Sequence, residues 1–200
     1  MSKKKPLYPL QEKEPSEAQA KEEMDCFFTS LEEKLKNEPP ELIEAGAKKI
    51  EDFLGGKTGW ADLFNMTPQN LLQLAEMGYI RFKSGRYDEA EKFFKVLTFL
   101  DWENHYYHSM MGSILQKQKR FGEAIVEYTQ ALETNAKDMV SLTNRGEIFF
   151  QHGWLAQAES DFDKAIALDP DQKNKWANRA RLLKIQILKT KGGSSVGSKE

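Results

Sequence analysis

Two hundred residues suit one folded domain with appendages. A formal net charge of −2 gives no bulk electrostatic case for a nucleic-acid or membrane surface. The single cysteine, Cys26, excludes an internal disulfide framework and fits a reducing compartment, and no run of about 18 apolar residues is present to span a bilayer.

Residues 1–16 are charged and hold Pro6, Pro9 and Pro15, a composition that predicts a disordered tail. The opening MSKKKPLYPL has lysines but no apolar run behind them, so no secretory signal is expected. Residues 17–66 read as N-terminal helices. The first covers 17–36, capped by Ser16, with Met24, Phe27, Phe28, Leu31 and Leu35 recurring as one apolar stripe. Cys26 stands in that stripe without a histidine in its helix and reads as a buried thiol. Pro39-Pro40 breaks the helix. A second amphipathic helix follows at 41–54, with Leu42, Ile43, Ala47, Ile50, Phe53 and Leu54, and Gly55-Gly56 ends it. Trp60, Leu63 and Phe64 form a short apolar turn, after which Thr67 caps the next helix with Pro68 at its first position.

From residue 71 the chain repeats itself. Gly78, Gly112 and Gly146 lie 34 residues apart. Ala90, Ala124 and Ala158 keep the same interval, and Phe94, Tyr128 and Phe162 each follow their alanine by four. Cutting on this period gives 71–104, 105–138 and 139–172. Small and aromatic residues at fixed offsets in a 34-residue period mark tetratricopeptide repeats. Each repeat is predicted to hold a helix A over its first 14 or so residues and a helix B over about 17–30. Glycine in A is expected where B crosses closely, answered by the alanine of B, while the aromatic fills the gap to the neighbouring repeat. Gly85 and Gly153 fall at the A–B turn, where φ > 0 is readily held by glycine; Lys119 takes that place in repeat 2. Leu168-Asp169-Pro170 stops the last B helix, with Trp102 and Ala136 at the equivalent of that proline. Residues 173–190 are predicted as a capping helix that turns Trp176, Ala180, Leu183, Ile187 and Leu188 to the open face of the last repeat. Residues 191–200 are a flexible tail. The fold expected is an all-α solenoid of three repeats with N-terminal helices and a C-terminal capping helix.

The sequence carries no catalytic constellation, and no cofactor or metal is implied. His105 and His108 share a helix face, which would suit two metal ligands, but no third ligand stands nearby and both read as exposed repeat positions. There is no glycine-rich phosphate loop or H-E-x-x-H pattern. The informative surface is the concave groove, which positions 2, 5, 9 and 12 of each tetratricopeptide repeat face. These are Leu72, Ala75, Tyr79 and Phe82, then Tyr106, Ser109, Ser113 and Gln116, then Val140, Thr143, Glu147 and Phe150. The groove therefore reads as apolar and aromatic at one end, with small residues in its middle. Repeat proteins that clamp a peptide's C-terminal carboxylate need Lys, Asn and Arg donors, but the matching places hold Ala75, Tyr79, Met110, Val140 and Asn144. An extended apolar peptide suits a trough without cationic hooks better.

Phe53-Leu54-Gly55-Gly56 leading through the apolar turn into repeat 1, Phe82-Lys83-Ser84-Gly85-Arg86-Tyr87-Asp88-Glu89-Ala90, and Leu97-Thr98-Phe99-Leu100-Asp101 together resemble the class II chaperones of bacterial type III secretion, the SycD/LcrH/IpgC group. The resemblance covers about residues 40–190. It implies a bacterial cytoplasmic chaperone, often a homodimer through its N-terminal helices, here Phe27, Phe28, Leu31, Leu35, Leu42 and Ile50. Its partners would be hydrophobic translocator proteins, held by an extended N-terminal segment that is thereby kept from aggregation and premature association. It carries groove and pocket roles to Ala75, Tyr79, Phe82 and Tyr87, and to Tyr106, Ser109, Met110 and Ser113. The family's L-G-L-G stretch is replaced by Ser109-Met110-Met111-Gly112, and residues 1–38 form an extension. Two other occupants of the same groove define the alternatives: a peptide of some other assembly, for a scaffold or regulator, or a needle subunit of the secretion system.

Overall fold

The computed structural model describes residues 38–193, together with the isolated positions 29, 33 and 36. Cys26, Phe27, Phe28, Leu31 and Leu35 lie outside the described residues. Two units are distinguished, one ending at Leu54 and the other beginning at Gly55. In the first, α1 spans Pro40–Leu54 and buries none of its residues, leaving Leu42, Ile43, Ile50 and Leu54 exposed. Gly56 past its end takes a left-handed φ of 69°.

The second unit is a run of helical hairpins. A short α2 (Trp60–Leu63) lays Trp60 against Phe99, with ring centroids 4.9 Å apart. Then come α3 (Pro68–Lys83) and α4 (Tyr87–Leu100), α5 (His105–Lys117) and α6 (Phe121–Thr134), and α7 (Met139–Gln151) and α8 (Leu155–Ala167). From α3 onward each helix packs on the next, and α9 (Lys175–Gly193) packs on both α7 and α8. Among the described residues all regular structure is helical. The A helices are capped by side chains that accept from the backbone: Thr67 from Asn70, Asn104 from Tyr106, Asp138 from Val140 and Asn174 from Trp176.

Side chains on the 34-residue register set the hairpin geometry. A Cβ added at Gly78 would come within 2.8 Å of the Phe94 ring, at Gly112 within 2.7 Å of Tyr128, and at Gly146 within 2.7 Å of Phe162. The aromatic of helix B thus lies directly over the glycine of its own repeat, where the sequence suggested that alanine would answer it. Ala90, Ala124 and Ala158 are fully buried one turn earlier. The aromatics also reach onward: Phe94 meets the Tyr106 ring of the next repeat edge-on at 6.3 Å.

At the A–B turns Gly85 and Gly153 hold φ of 75° and 78°, and Lys119 holds 63° in the same place. A lysine there costs about 1 kcal/mol relative to glycine. Repeats 1 and 2 are stapled by Arg120, which bonds Glu91 at 2.8 Å and Glu123 at 2.6 Å. Repeats 2 and 3 meet through Arg145, whose guanidinium grips Asp161 and donates to Thr129 at 2.8 Å.

On α9, Ala177, Ala180 and Ile187 are buried but Leu188 is 56% exposed. Leu188 is one residue round from Ile187, and the contact stripe is too narrow to hold both.

Gly112→Ala should lower stability by up to about 2 kcal/mol. Helix propensity favours alanine by about 1 kcal/mol, but overpacking against a buried Tyr128 held by hydrogen bonds costs about 1–3 kcal/mol. Urea denaturation measures the difference, and a raised midpoint would contradict this packing.

Candidate functional site

Four helices, α3, α5, α7 and α9, line one cleft of about 570 Å³. Its apolar wall is Tyr79 and Phe82 from α3, Met110 from α5, Phe121 from the start of α6, Val140 from α7 and Trp176 from α9. Ser113, Gln116, Asn144 and Gln151 supply neutral polar groups. Tyr79 is 43% exposed, so its ring faces open space. Phe82 is half-buried and backed by Tyr87, with centroids 5.7 Å apart. Tyr87 therefore supports the wall without lining it. The floor is braced from below by Tyr128, whose hydroxyl donates to Gln116 Oε1 at 2.9 Å and lies 3.1 Å from Ser113 Oγ. Burial pushes its hydroxyl pKa up, so the donor stays protonated.

The expected groove residues divide. Tyr79, Phe82, Met110, Ser113 and Val140 line the cleft, as do Gln116 and Glu147. Position 5 of every repeat does not: Ala75 and Ser109 are 5% exposed and Thr143 0%. Those side chains are buried in the packing, and Thr143 donates to the Trp176 carbonyl of α9 at 3.2 Å. Leu72 is exposed but outside the cleft, and Phe150 packs into the core of repeat 3. Tyr106 stands beside the cleft, edge-on to Tyr107 at 5.9 Å. Its hydroxyl pKa is raised by burial and by the neighbouring Tyr79.

The trough is not free of cations. Lys83, Lys117, Lys119, Lys175 and Arg179 all line it. Lys83 and Lys117 share an offset in successive repeats, one residue beyond the last position attributed to the groove. Carrying the glycine register one step further would have found them. No comparable signal marks Trp176 or Arg179, which enter because α9 occupies the place of a fourth A helix. Arg179 bonds Glu147 at 2.6 and 2.8 Å. The places of a terminal-carboxylate clamp remain without one, with Ala75 buried and Tyr79, Met110 and Val140 lacking a cation.

Tetratricopeptide-repeat family models match residues 78–104 and residues 105–138 and 141–172. Low calcium response locus protein H of Yersinia pestis is 28% identical over 123 residues, 62% of this chain and 73% of that protein. A rice (Oryza sativa subsp. japonica) U-box domain-containing protein 70 is 36% identical over 106 residues, 53% of this chain, which spans only 13% of its length. Among solved structures, a type III secretion complex from Aeromonas hydrophila superposes with a TM-score of 0.65 at 27% identity, over 72% of this chain and 97% of that one. PcrH in complex with the chaperone-binding region of PopD gives 0.59 at 26% identity, over 62% and 96%.

His105 and His108 do not line the cleft, and among the described residues no cluster of three or more His, Cys, Asp or Glu could hold an ion. His108 is buried, contrary to the exposed position expected of it. Its Nδ1 lies 2.7 Å from Glu127 Oε2 and its Nε2 2.8 Å from the Trp102 carbonyl. Both partners only accept, so the ring is held best when both nitrogens carry protons. Burial alone would lower its pKa, but the bonds to Glu127 and Trp102 and the charges of Glu127 and Asp101 outweigh it, and the pKa is raised. His105 instead meets Asn135, 3.2 Å from its Nε2.

A raised folded pKa means that the His108 contribution is full below the unfolded value of about 6.5 and is lost as pH rises through the folded value. Melting curves of the wild type and His108→Gln should therefore differ more at acidic than at alkaline pH. A gap that widens with rising pH would reverse the assignment.

Proposed function

We propose, starting from a chain that belongs to the tetratricopeptide-repeat translocator chaperones of the SycD/LcrH/IpgC-like group, that its groove holds an extended apolar segment of a hydrophobic type III secretion translocator. Held there, the segment is withdrawn from aggregation and from premature association. One observation carries the reading: an open wall of Tyr79, Phe82, Met110 and Val140 crosses successive repeats. PcrH, a structural neighbour of this chain, has been solved with the chaperone-binding regions of PopD and PopB.

The energetics suit a reversible guardian. Three aliphatic anchors would contribute about 1.5–3 kcal/mol each when buried. Ordering and association remove much of that, leaving an affinity on the order of micromolar. Protection then follows from mass action and calls on no cofactor or catalytic step. The chaperone acts in the bacterial cytoplasm. Leu42 and Ile50, exposed on α1, would serve a homodimer together with Phe27, Phe28, Leu31 and Leu35. No helix among the described residues is long and apolar enough to cross a membrane.

Co-expression with the hydrophobic translocator of the same secretion system should yield a soluble complex. Tyr79→Ala combined with Phe82→Ala should weaken it tenfold or more by titration calorimetry, with the helical circular dichroism spectrum retained. A folded double variant that keeps full affinity would remove the groove from the mechanism.

A further inference from the structure

The charge of the cleft runs against the charge of the chain. Five cations, Lys83, Lys117, Lys119, Lys175 and Arg179, line a site whose one carboxylate is Glu147, in a protein of net charge −2. Glu147 is already held by Arg179. Lys83, Lys117 and Lys119 are exposed and pair with no carboxylate among the described residues. The arginines Arg81, Arg86, Arg120, Arg145 and Arg181, by contrast, each meet a partner carboxylate.

Lys83 and Lys117 end α3 and α5, where a cation also complements the helix dipole. That account does not extend comfortably to Lys119. It holds a left-handed φ of 63° at the turn where the other two repeats carry glycine. The chain keeps a strained lysine at the cleft where the unstrained residue would remove the charge.

We propose that the groove selects an apolar segment flanked by carboxylates, whose acidic side chains meet Lys83, Lys117 and Lys119 while its anchors lie on Tyr79 and Phe82. The inference rests on the groove reading given above and names the chemistry of the guest. An apolar-walled cleft of one sign focuses its field on an incoming segment, so the lysines speed capture and choose among guests of equal hydrophobicity. Exposed lysine pairs are individually weak, which keeps the effect modest and sensitive to salt. A peptide fits better than a nucleic acid because the wall is aliphatic as well as aromatic. The Trp176 ring is also already attended by Lys175 Nζ, 5.4 Å from its centroid.

Three fluorescein-labelled peptides test this, sharing one extended Leu/Val core and carrying flanks of Glu, Gln or Lys. Anisotropy titrations with the full chain should rank them Glu, then Gln, then Lys. The Glu peptide should bind about fivefold or more tighter than the Gln peptide at about 0.05 M salt, and the ratio should shrink at about 0.3 M. Lys119→Gly should raise the melting temperature yet narrow the Glu-over-Gln ratio by about twofold, a combination that loss of folding cannot produce. Equal binding of the Glu and Gln peptides would overturn this inference and leave the groove reading standing. Binding by none of the three would overturn both. Equal binding of an acidic peptide without the Leu/Val core, or tighter binding of a single-stranded oligonucleotide, would also overturn the inference.

Discussion

The contact between a glycine and an aromatic ring governs this molecule. In each repeat the ring of helix B rests on helix A at the one residue with no side chain to hold it off: Phe94 on Gly78, Tyr128 on Gly112, Phe162 on Gly146. The close approach fixes the depth of every hairpin, and its recurrence at one interval fixes the step from each hairpin to the next. Interiors are packed too densely to absorb a change at one such point without moving its neighbours. The middle copy does more than pack. Its phenolic hydroxyl passes through the hairpin to Ser113 and Gln116, so the joint that sets the fold also steadies the floor of the cleft.

The remaining geometry follows from which side chains that stacking leaves over. Position 5 of each A helix is buried in the packing, so Ala75, Ser109 and Thr143 are spent on cohesion. Positions 9 and 13 stay open, and they carry Tyr79 with Lys83, Ser113 with Lys117, and Glu147 with Gln151. The concave surface is therefore amphipathic, with anchors along its wall and amines along its margin. Arg120 and Arg145 tie adjacent repeats by charged hydrogen bonds, while Lys83, Lys117 and Lys119 stand at the groove without a carboxylate partner among the described residues.

Much of the architecture was legible in the residue order. The interval of 34 residues, the glycine turns at 85 and 153, the Thr67–Pro68 start and the Asp169–Pro170 stop are local signals, and the helices begin and end close to them. The site was only partly legible. Tyr79, Phe82, Met110, Ser113 and Val140 reach the cleft because periodicity alone sets their direction. Ala75, Ser109 and Thr143 do not, because the pitch between repeats decides what is covered, and pitch is a property of the stack. His108 is the same kind of case. Its partner Glu127 lies 19 residues away across a helix pair, and nothing in its immediate neighbourhood announces burial.

The terminal helix gives the molecule a ruler. Because α9 stands where a fourth A helix would, and brings Trp176 and Arg179 to the cleft, the trough is closed at that end and cannot be read as an open-ended array. Helices packed about 8–10 Å apart put roughly 25–30 Å between the first and fourth. An extended strand rising about 3.3 Å per residue crosses that distance in about eight residues. Longer guests must leave the rest of their chain outside, free to move while the measured stretch stays in hand.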